Sequence, residues 1–113
     1  MNPDSYLPLT PVVLEIALAL AAGERHGYEI MQEVERRTDG QIVLHPGTLY
    51  RALSRLLEQG LIEELEERRS VEDDERRRYY RLTTLGAAVA RAEVERLAGQ
   101  VSAARRLFRS GRA

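Results

Sequence analysis

The stretch Pro46-Gly47-Thr48-Leu49-Tyr50-Arg51-Ala52-Leu53-Ser54-Arg55-Leu56-Leu57-Glu58-Gln59-Gly60 decides the fold. Pro46 predicts the start of a helix, because proline at the first helical position gives up no intrahelical hydrogen bond, and Gly60 predicts its end. Apolar residues recur between them at spacings of three and four and define one buried face: Leu49, Ala52, Leu53, Leu56 and Leu57. The opposite face is polar and basic and has Tyr50 at its edge; it consists of Gly47, Thr48, Arg51, Ser54, Arg55 and Glu58. The stretch therefore predicts a helix that buries one side and presents arginines on the other.

Two more helices are predicted upstream. Residues 10–22 are strong helix formers and are apolar on nearly all sides. We therefore expect both faces of that helix to be buried, and a partner subunit is one candidate for burying the second face. Residues 26–38 place apolar side chains at helical spacing, with charged residues between them, and stop near Asp39-Gly40. The three predicted helices are thus consecutive and closely spaced.

Downstream, the pattern changes to that of a two-stranded hairpin. Residues 61–69 form the first arm, residues 70–75 resemble a turn, and residues 76–83 form the second arm. The second arm alternates, with Tyr80 on one side and Tyr79 on the other, as expected of a half-buried strand. Thr83 then provides a cap for a long last helix from Thr84 to about Phe108.

The last helix carries a seven-residue repeat of apolar positions. Its members are Ala87, Ala90, Val94, Leu97, Val101, Ala104 and Phe108. A repeat sustained over three heptads predicts a coiled-coil-like seam, and the chain supplies no second long helix to meet it. A seam packed within one subunit is the less favoured alternative, because a helix of about 37 Å would exceed the rest of so small a domain. We therefore expect a homodimer that is held together by these residues.

Three helices followed by a hairpin is the order of the winged helix-turn-helix, in which the third helix enters the major groove of DNA and the wing contacts the backbone or the minor groove. The expected fold class is therefore mainly α with a small β-hairpin (α+β), ending in a long C-terminal dimerisation helix. We expect residues 1–83 to form the DNA-binding domain and residues 84–113 the dimerisation helix and tail. The densest basic run, Arg76-Arg77-Arg78, falls on the wing.

Net charge alone argues against a nucleic-acid partner. The 113 residues carry 17 basic and 18 acidic side chains, and the sequence pI is about 6.1, whereas a pI above about 9 is usual for a DNA-binding domain. All 17 bases are arginine, which suits phosphates and guanine edges, although GC-rich coding or thermal adaptation also favours it. The acidic residues populate the second helix and the flanks of the wing, so the segregation of charge matters more than its total.

Several short motifs in a fixed order carry a resemblance to a known family. They are Leu9-Thr10-Pro11, Ala21-Ala22-Gly23, His26-Gly27-Tyr28-Glu29-Ile30, Pro46-Gly47-Thr48-Leu49-Tyr50, Gly60-Leu61-Ile62 and Arg78-Tyr79-Tyr80-Arg81-Leu82-Thr83, followed by Gly86. In this order and spacing the chain resembles the PadR family of transcriptional regulators over residues 9–105, and its single C-terminal helix resembles the family's short subgroup. The resemblance implies a homodimeric repressor that binds a palindromic operator in double-stranded DNA. It also implies regulation, as in many members, by a small aromatic, phenolic or drug-like effector.

The resemblance assigns the contacts with DNA by position. The residues that it places against DNA are Gly47, Thr48, Tyr50 and Arg51 on the recognition helix and Arg76, Arg77 and Arg78 on the wing. We add Arg55 from the geometry of the helix face. Tyr28 and Tyr80 also match motif positions, but an aromatic side chain on an apolar face usually fills the core, so we expect structural roles for both.

Other function classes fit less well. The chain has no cysteine and therefore no disulfide, thiolate nucleophile or zinc-thiolate site. His26 and Glu29 lie three residues apart but lack a third ligand, and no nucleophile has a base beside it, so we expect no metal, no cofactor and no enzyme. The longest apolar stretch, residues 12–22, is too short to span a bilayer, and the N-terminus lacks the basic region of a signal peptide, so we expect a cytoplasmic protein.

One alternative stays open: a winged-helix dimer that binds another protein without sequence-specific DNA binding. The acidic pairs Glu63-Glu64 and Glu66-Glu67 and the acidic wing tip at residues 72–75 favour it, because they lie near the proposed DNA face. They would not repel DNA if they pointed toward solvent or paired with Arg68 and Arg69.

Overall fold

The computed structural model describes residues 2–67 and 77–110. It contains four helices, all of which are confirmed within two residues of their predicted ends: α1 Pro11–Ala21, α2 Gly27–Arg37, α3 Pro46–Glu58 and α4 Thr84–Arg109. A short 3-10 turn at Pro3–Tyr6 precedes them and was not predicted. Three strands complete the described fold: β1 Arg25–His26, β2 Ile62–Glu67 and β3 Arg77–Leu82.

Side-chain caps fix where three of the helices begin. The Thr10 hydroxyl accepts the N–H of Val13 at 3.2 Å, and the Thr83 hydroxyl accepts the N–H of Gly86 at 3.0 Å. His26 and Glu29 form a capping box at the start of α2, in which each side chain accepts the other residue's backbone N–H. The His26–Glu29 pair, considered above as a candidate for metal binding, therefore organises a helix terminus.

The sheet has three antiparallel strands in the order β1-β3-β2, where a two-stranded hairpin was predicted. In the added pairing, Arg25 lies opposite Tyr80 and His26 opposite Tyr79. β1 has only two residues, which is too short for an alternating pattern to reveal in a sequence. The predicted turn at residues 70–75 lies outside the described residues.

The prediction that β3 has one buried and one open face holds at Arg81, which is exposed, but was wrong at Tyr79. Tyr79 and Tyr80 point to opposite faces of the sheet, yet they are 1% and 4% exposed. Tyr80 packs into the main core, as expected, while the Tyr79 ring meets the His26 ring edge-on with centroids 5.4 Å apart. The two-residue strand β1 supplies His26 and so helps to cover the face that was expected to be open.

One hydrophobic core joins the helices to the sheet. Tyr80 and Ile62 enter it from the sheet, and every helix contributes buried side chains: Ile16, Leu20, Ile30, Val34, Leu49, Leu53, Leu56 and Val89. The first turn of α4 packs directly against the backbone of Leu61. A methyl group at Gly86 would overlap the carbonyl oxygen of Leu61. Glycine is therefore required at the point where α4 begins.

α4 is the longest element of the described fold. Its 26 residues span about 39 Å, and the molecule measures 62 × 34 × 22 Å. The N-terminal segment is attached to its first turns, where the backbone N–H of Leu9 donates to the Glu93 carboxylate at 2.8 Å. The far end of α4 consequently extends away from the core.

Candidate nucleic-acid interface

The outer face of α3 presents the side chains that the sequence predicted. Gly47, Arg51 and Arg55 are exposed, and Thr48 is partly buried. Within residues 2–67 and 77–110, neither Arg51 nor Arg55 forms an ion pair, whereas Arg36, Arg37, Arg78, Arg81 and Arg96 each pair with a glutamate. The two arginines of α3 are thus available to an external anion.

The N-terminus of α3 lacks a side-chain cap. Thr10, His26 and Thr83 cap the other helices, but the side chain of His45 makes no capping hydrogen bond. Pro46 has no N–H to satisfy, and the following N–H groups lie at the positive end of the helix dipole. Gly47 is exposed there and has no side chain, so an anion meets little obstruction on its way to the backbone.

Tyr50, at the edge of this face, contacts the start of α2. Its hydroxyl lies over Gly27 so closely that a methyl group at that position would overlap it. Tyr50 remains 49% exposed, and Tyr28, the residue that follows Gly27, is 61% exposed. The prediction that Tyr28 fills the core was therefore wrong.

The wing contributes Arg78, whose guanidinium lies 3.2 Å from the Glu64 carboxylate on the neighbouring strand. Arg76 and the side chain of Arg77 lie outside the described residues. Glu63 pairs with Arg81, which also approaches Glu24 at 3.6 Å. Of the acidic residues that favoured a protein partner, Glu63 and Glu64 are thus engaged with arginines of β3. The side chains of Glu66 and Glu67, the acidic wing tip at residues 72–75, and Arg68 and Arg69 lie outside the described residues.

Tyr80 connects the wing with α3. Burial raises the pKa of Tyr80, Glu64 and Tyr50 raise it further, and Arg78 opposes them. Tyr80 itself packs into the same core cluster as Leu49, Leu53 and Leu56 of α3. The core therefore holds α3 next to the face of the wing that carries Tyr80.

The seam of α4 is covered at its start and open toward its end. Ala90 is buried by its own chain and Ala87 is partly buried. Val94, Val101 and Phe108 are 43%, 47% and 68% exposed, while Leu97 and Ala104 are partly buried. Beside the covered part, a groove of about 540 Å³ runs between α1, α4 and the end of β3, with Leu18, Leu82, Ala90 and Val94 along its floor.

Among the described residues, none of the helices is long and apolar enough to cross a membrane. The same described residues contain no group of three or more histidine, aspartate or glutamate side chains that could hold a metal ion.

Comparison with known proteins places these features in a family. The sequence model of the Transcriptional regulator PadR-like family matches residues 14–92. A transcriptional regulator from Clostridium thermocellum is 29% identical, with a TM-score of 0.71, over 84% of this chain and 87% of that one. An uncharacterized protein from Lysinibacillus sphaericus is 40% identical over 65 residues, and the match spans 58% of this chain and 58% of that relative.

Two more distant structures share the fold. A PadR family transcription regulator from Clostridium difficile has a TM-score of 0.74 at 23% identity, over 88% of this chain and 99% of that one. Bacillus subtilis PadR in complex with operator DNA has a TM-score of 0.66 at 20% identity, over 77% of this chain and 48% of that one. The family consists of transcriptional regulators, which agrees with the expectation that the chain is not an enzyme. With a family model that matches it from α1 into α4, this chain belongs to the Transcriptional regulator PadR-like family.

Proposed function

We propose that this protein is a homodimeric transcriptional regulator that binds a palindromic operator in double-stranded DNA. The observation that carries the proposal is the outer face of α3, where Arg51 and Arg55 form no ion pair within the described residues, beside an uncapped helix N-terminus and the wing arginine Arg78. Bacillus subtilis PadR, which shares this fold, is known in complex with operator DNA, and this supports operator DNA as the partner.

The elements divide the recognition of DNA between them. α3 enters the major groove, where Arg51 and Arg55 reach base edges, and its N-terminus at Gly47 and Thr48 contacts phosphate. Tyr50 extends the contact with the backbone beside α3. Arg78, together with Arg76 and Arg77, follows the backbone from the wing.

The homodimer is supported by apolar surface that one chain leaves uncovered. Val94, Val101 and Phe108 are exposed along one stripe of α4, and a second copy that presents the same stripe would cover it. The adjoining groove between α1 and α4 adds apolar surface to the same side of the molecule. Two-fold symmetry then relates two recognition helices and matches a palindromic site.

We further propose that the protein is a cytoplasmic repressor whose operator complex is released by a small aromatic or drug-like effector. Release by an effector requires an apolar cavity next to the interface between the two subunits, so that a bound compound affects how they pack. The groove between α1 and α4 supports this proposal, because it adjoins the dimerisation seam. A compound that binds only the folded dimer raises its melting temperature, so a thermal screen against aromatic compounds identifies candidates.

The proposed function is tested by titrating labelled DNA from the gene's own upstream region at several salt concentrations. A regulator that neutralises phosphates loses affinity steeply with salt, with a log-log slope of about −0.9 for each phosphate contact. It also prefers its operator to a random duplex. Affinity that is flat with salt, or equal for both duplexes, would instead favour the winged-helix dimer that binds another protein.

Two variants separate base contacts from backbone contacts. Arg51→Ala is expected to weaken operator binding by about 1–3 kcal/mol and to relax sequence preference, because it removes a contact with a base edge. Arg78→Ala is expected to weaken operator and random duplex alike, because phosphate carries no sequence information. Arg106→Ala, at the far end of α4, serves as the control with the same loss of charge. The reverse pattern for Arg51 and Arg78 would refute these roles.

A further inference from the structure

The ion pair between Glu64 and Arg78 lies on the side of the wing that faces α3. In the register of the hairpin, Glu64 lies opposite Tyr80 and Arg78 lies two pairs farther out, so all three side chains share one face of the sheet. The Arg78 Nε lies 3.2 Å from the Glu64 Oε1. Tyr80 packs into one core cluster with Leu49, Leu53 and Leu56 of α3, so the face that it shares with Glu64 and Arg78 is turned toward that helix.

The opposite face of the hairpin carries a second ion pair of the same composition. Glu63 pairs with Arg81, and Arg81 is also held by Glu24 in the segment after α1. Since successive residues of a strand alternate in direction, this pair points away from the face that Glu64 and Arg78 share. The chain thus contains two neighbouring glutamates, each bound to an arginine of β3, of which only one adjoins the proposed DNA surface.

An arginine that already binds a carboxylate is a weaker ligand for phosphate. Phosphate must displace Glu64 from Arg78 or share the guanidinium with it, and the uncompensated carboxylate then lies close to the DNA backbone. Both side chains are partly solvent-exposed, at 70% for Arg78 and 32% for Glu64. Ion pairs of this kind are weak, so phosphate is able to open this one.

We propose that Glu64 is an internal competitor of the DNA backbone, which occupies Arg78 in the free protein and limits affinity for any duplex. The inference rests on the proposed function and adds a residue to it. Because Glu64 weakens the backbone contact of Arg78, the base contacts of α3 supply a larger share of the binding free energy. Glu64 therefore raises the relative contribution of sequence readout without itself contacting a base.

The test compares Glu64→Gln with Glu63→Gln, two isosteric variants that make the same change in net charge. Glu64→Gln is expected to tighten binding to operator and random duplex alike by about two- to fivefold, the range of an exposed ion pair. It is also expected to make the log-log salt slope more negative by up to about 0.9, because the contact between Arg78 and phosphate no longer competes with a carboxylate and is formed in full. Glu63→Gln is expected to bind like the wild type.

A double variant assigns the gain to Arg78. In an Arg78→Ala background, Glu64→Gln is expected to lose most of its effect, because the arginine for which it competes is absent. Binding by Glu64→Gln at or below the wild-type affinity overturns the inference, as does an equal gain in Glu63→Gln or an undiminished gain in the double variant. Wild-type protein that binds DNA without salt dependence instead overturns the proposed function, and the inference with it.

Discussion

Gly86 is the residue at which the start of α4 is most tightly constrained. A methyl group there would overlap the Leu61 carbonyl oxygen, and because this neighbour is backbone it has little freedom to move. Gly86→Ala is therefore expected to lower the free energy of unfolding by about 1–3 kcal/mol. Denaturation by urea, followed by circular dichroism, measures the change.

A second glycine of the same helix provides the control. Nothing lies within 4 Å of a methyl group added at Gly99, so Gly99→Ala is expected to stabilise the protein by about 0.5–1 kcal/mol through helix propensity. If both substitutions stabilise the fold, the close approach of α4 to Leu61 is not a constraint.

Single residues also mark the limit of what the sequence predicts. Tyr28 was grouped with Ile30 and Val34 among the apolar positions of its helix, yet it is 61% exposed. A step of two residues turns an α-helix by about 200°, so Tyr28 lies on the other side of α2 from Ile30. The prediction followed the aromatic character of the side chain rather than its position on the helix. Arg51 and Arg55 were predicted correctly to be exposed, because their exposure follows from the periodicity of α3 alone.

At the scale of elements, the N-terminal segment and α4 are joined by a buried carboxylate. Glu93 is 1% exposed and accepts hydrogen bonds from the Arg96 guanidinium and the Leu9 N–H. The hydrogen bond from Arg96 lowers the pKa of Glu93, burial opposes that effect, and Leu9 adds to it. No periodicity indicated this residue, because a glutamate on a helix is ordinarily assigned to solvent.

The lowered pKa gives a definite dependence of stability on pH. The unfolded chain binds the proton first as pH falls, so the stabilisation by Glu93 is fully present above the ordinary glutamate pKa of about 4.3 and is lost as pH falls through the lower folded value. Glu93→Gln is expected to cost about 1.5–3 kcal/mol at pH 7, the range for hydrogen bonds to charged groups, and less at low pH. Urea denaturation at pH 7 and near pH 3 measures both.

Glu95→Gln, an exposed site on the same helix, is the matched control and is expected to change stability little at either pH. A cost for Glu93→Gln that stays constant with pH would contradict the role of its ionised form.

Elements that come from local pattern were predicted well, and those that depend on distant partners were not. All four helices follow from periodicity and from Pro11, Pro46 and Thr83 at their starts. β1 was missed because two residues become a strand only when β3 lies beside them. The burial of Tyr79 has the same origin, since the side chain of His26 covers it from that strand.

At the scale of the whole molecule, the charge balance has a structural explanation. The net charge is −1, and several glutamates bind arginines of a neighbouring element, as Glu15 does with Arg37 and Glu63 with Arg81. The arginines of α3 are left out of these ion pairs in the described part of the chain. A neutral total therefore coexists with a locally positive surface.

The proposed dimer is tested on the same scale. Val101→Asp places a charge on the open part of the seam and is expected to shift the protein from twice 12.8 kDa toward 12.8 kDa at micromolar concentration. Ala103→Asp, an exposed position of α4 off the seam, is expected to leave the mass unchanged. Light scattering after size exclusion measures the masses. A wild-type protein that is already monomeric at this concentration would remove the proposed dimer.

The hydrogen bond between Leu9 and Glu93 has a consequence for how sequences of this kind diverge. Because the donor is a backbone amide, every amino acid except proline supplies it equally well at position 9. Selection on this contact therefore acts on Glu93 alone, and methods that infer proximity from correlated substitutions will not detect it. Leu9→Pro is the one replacement at that position that abolishes the donor itself.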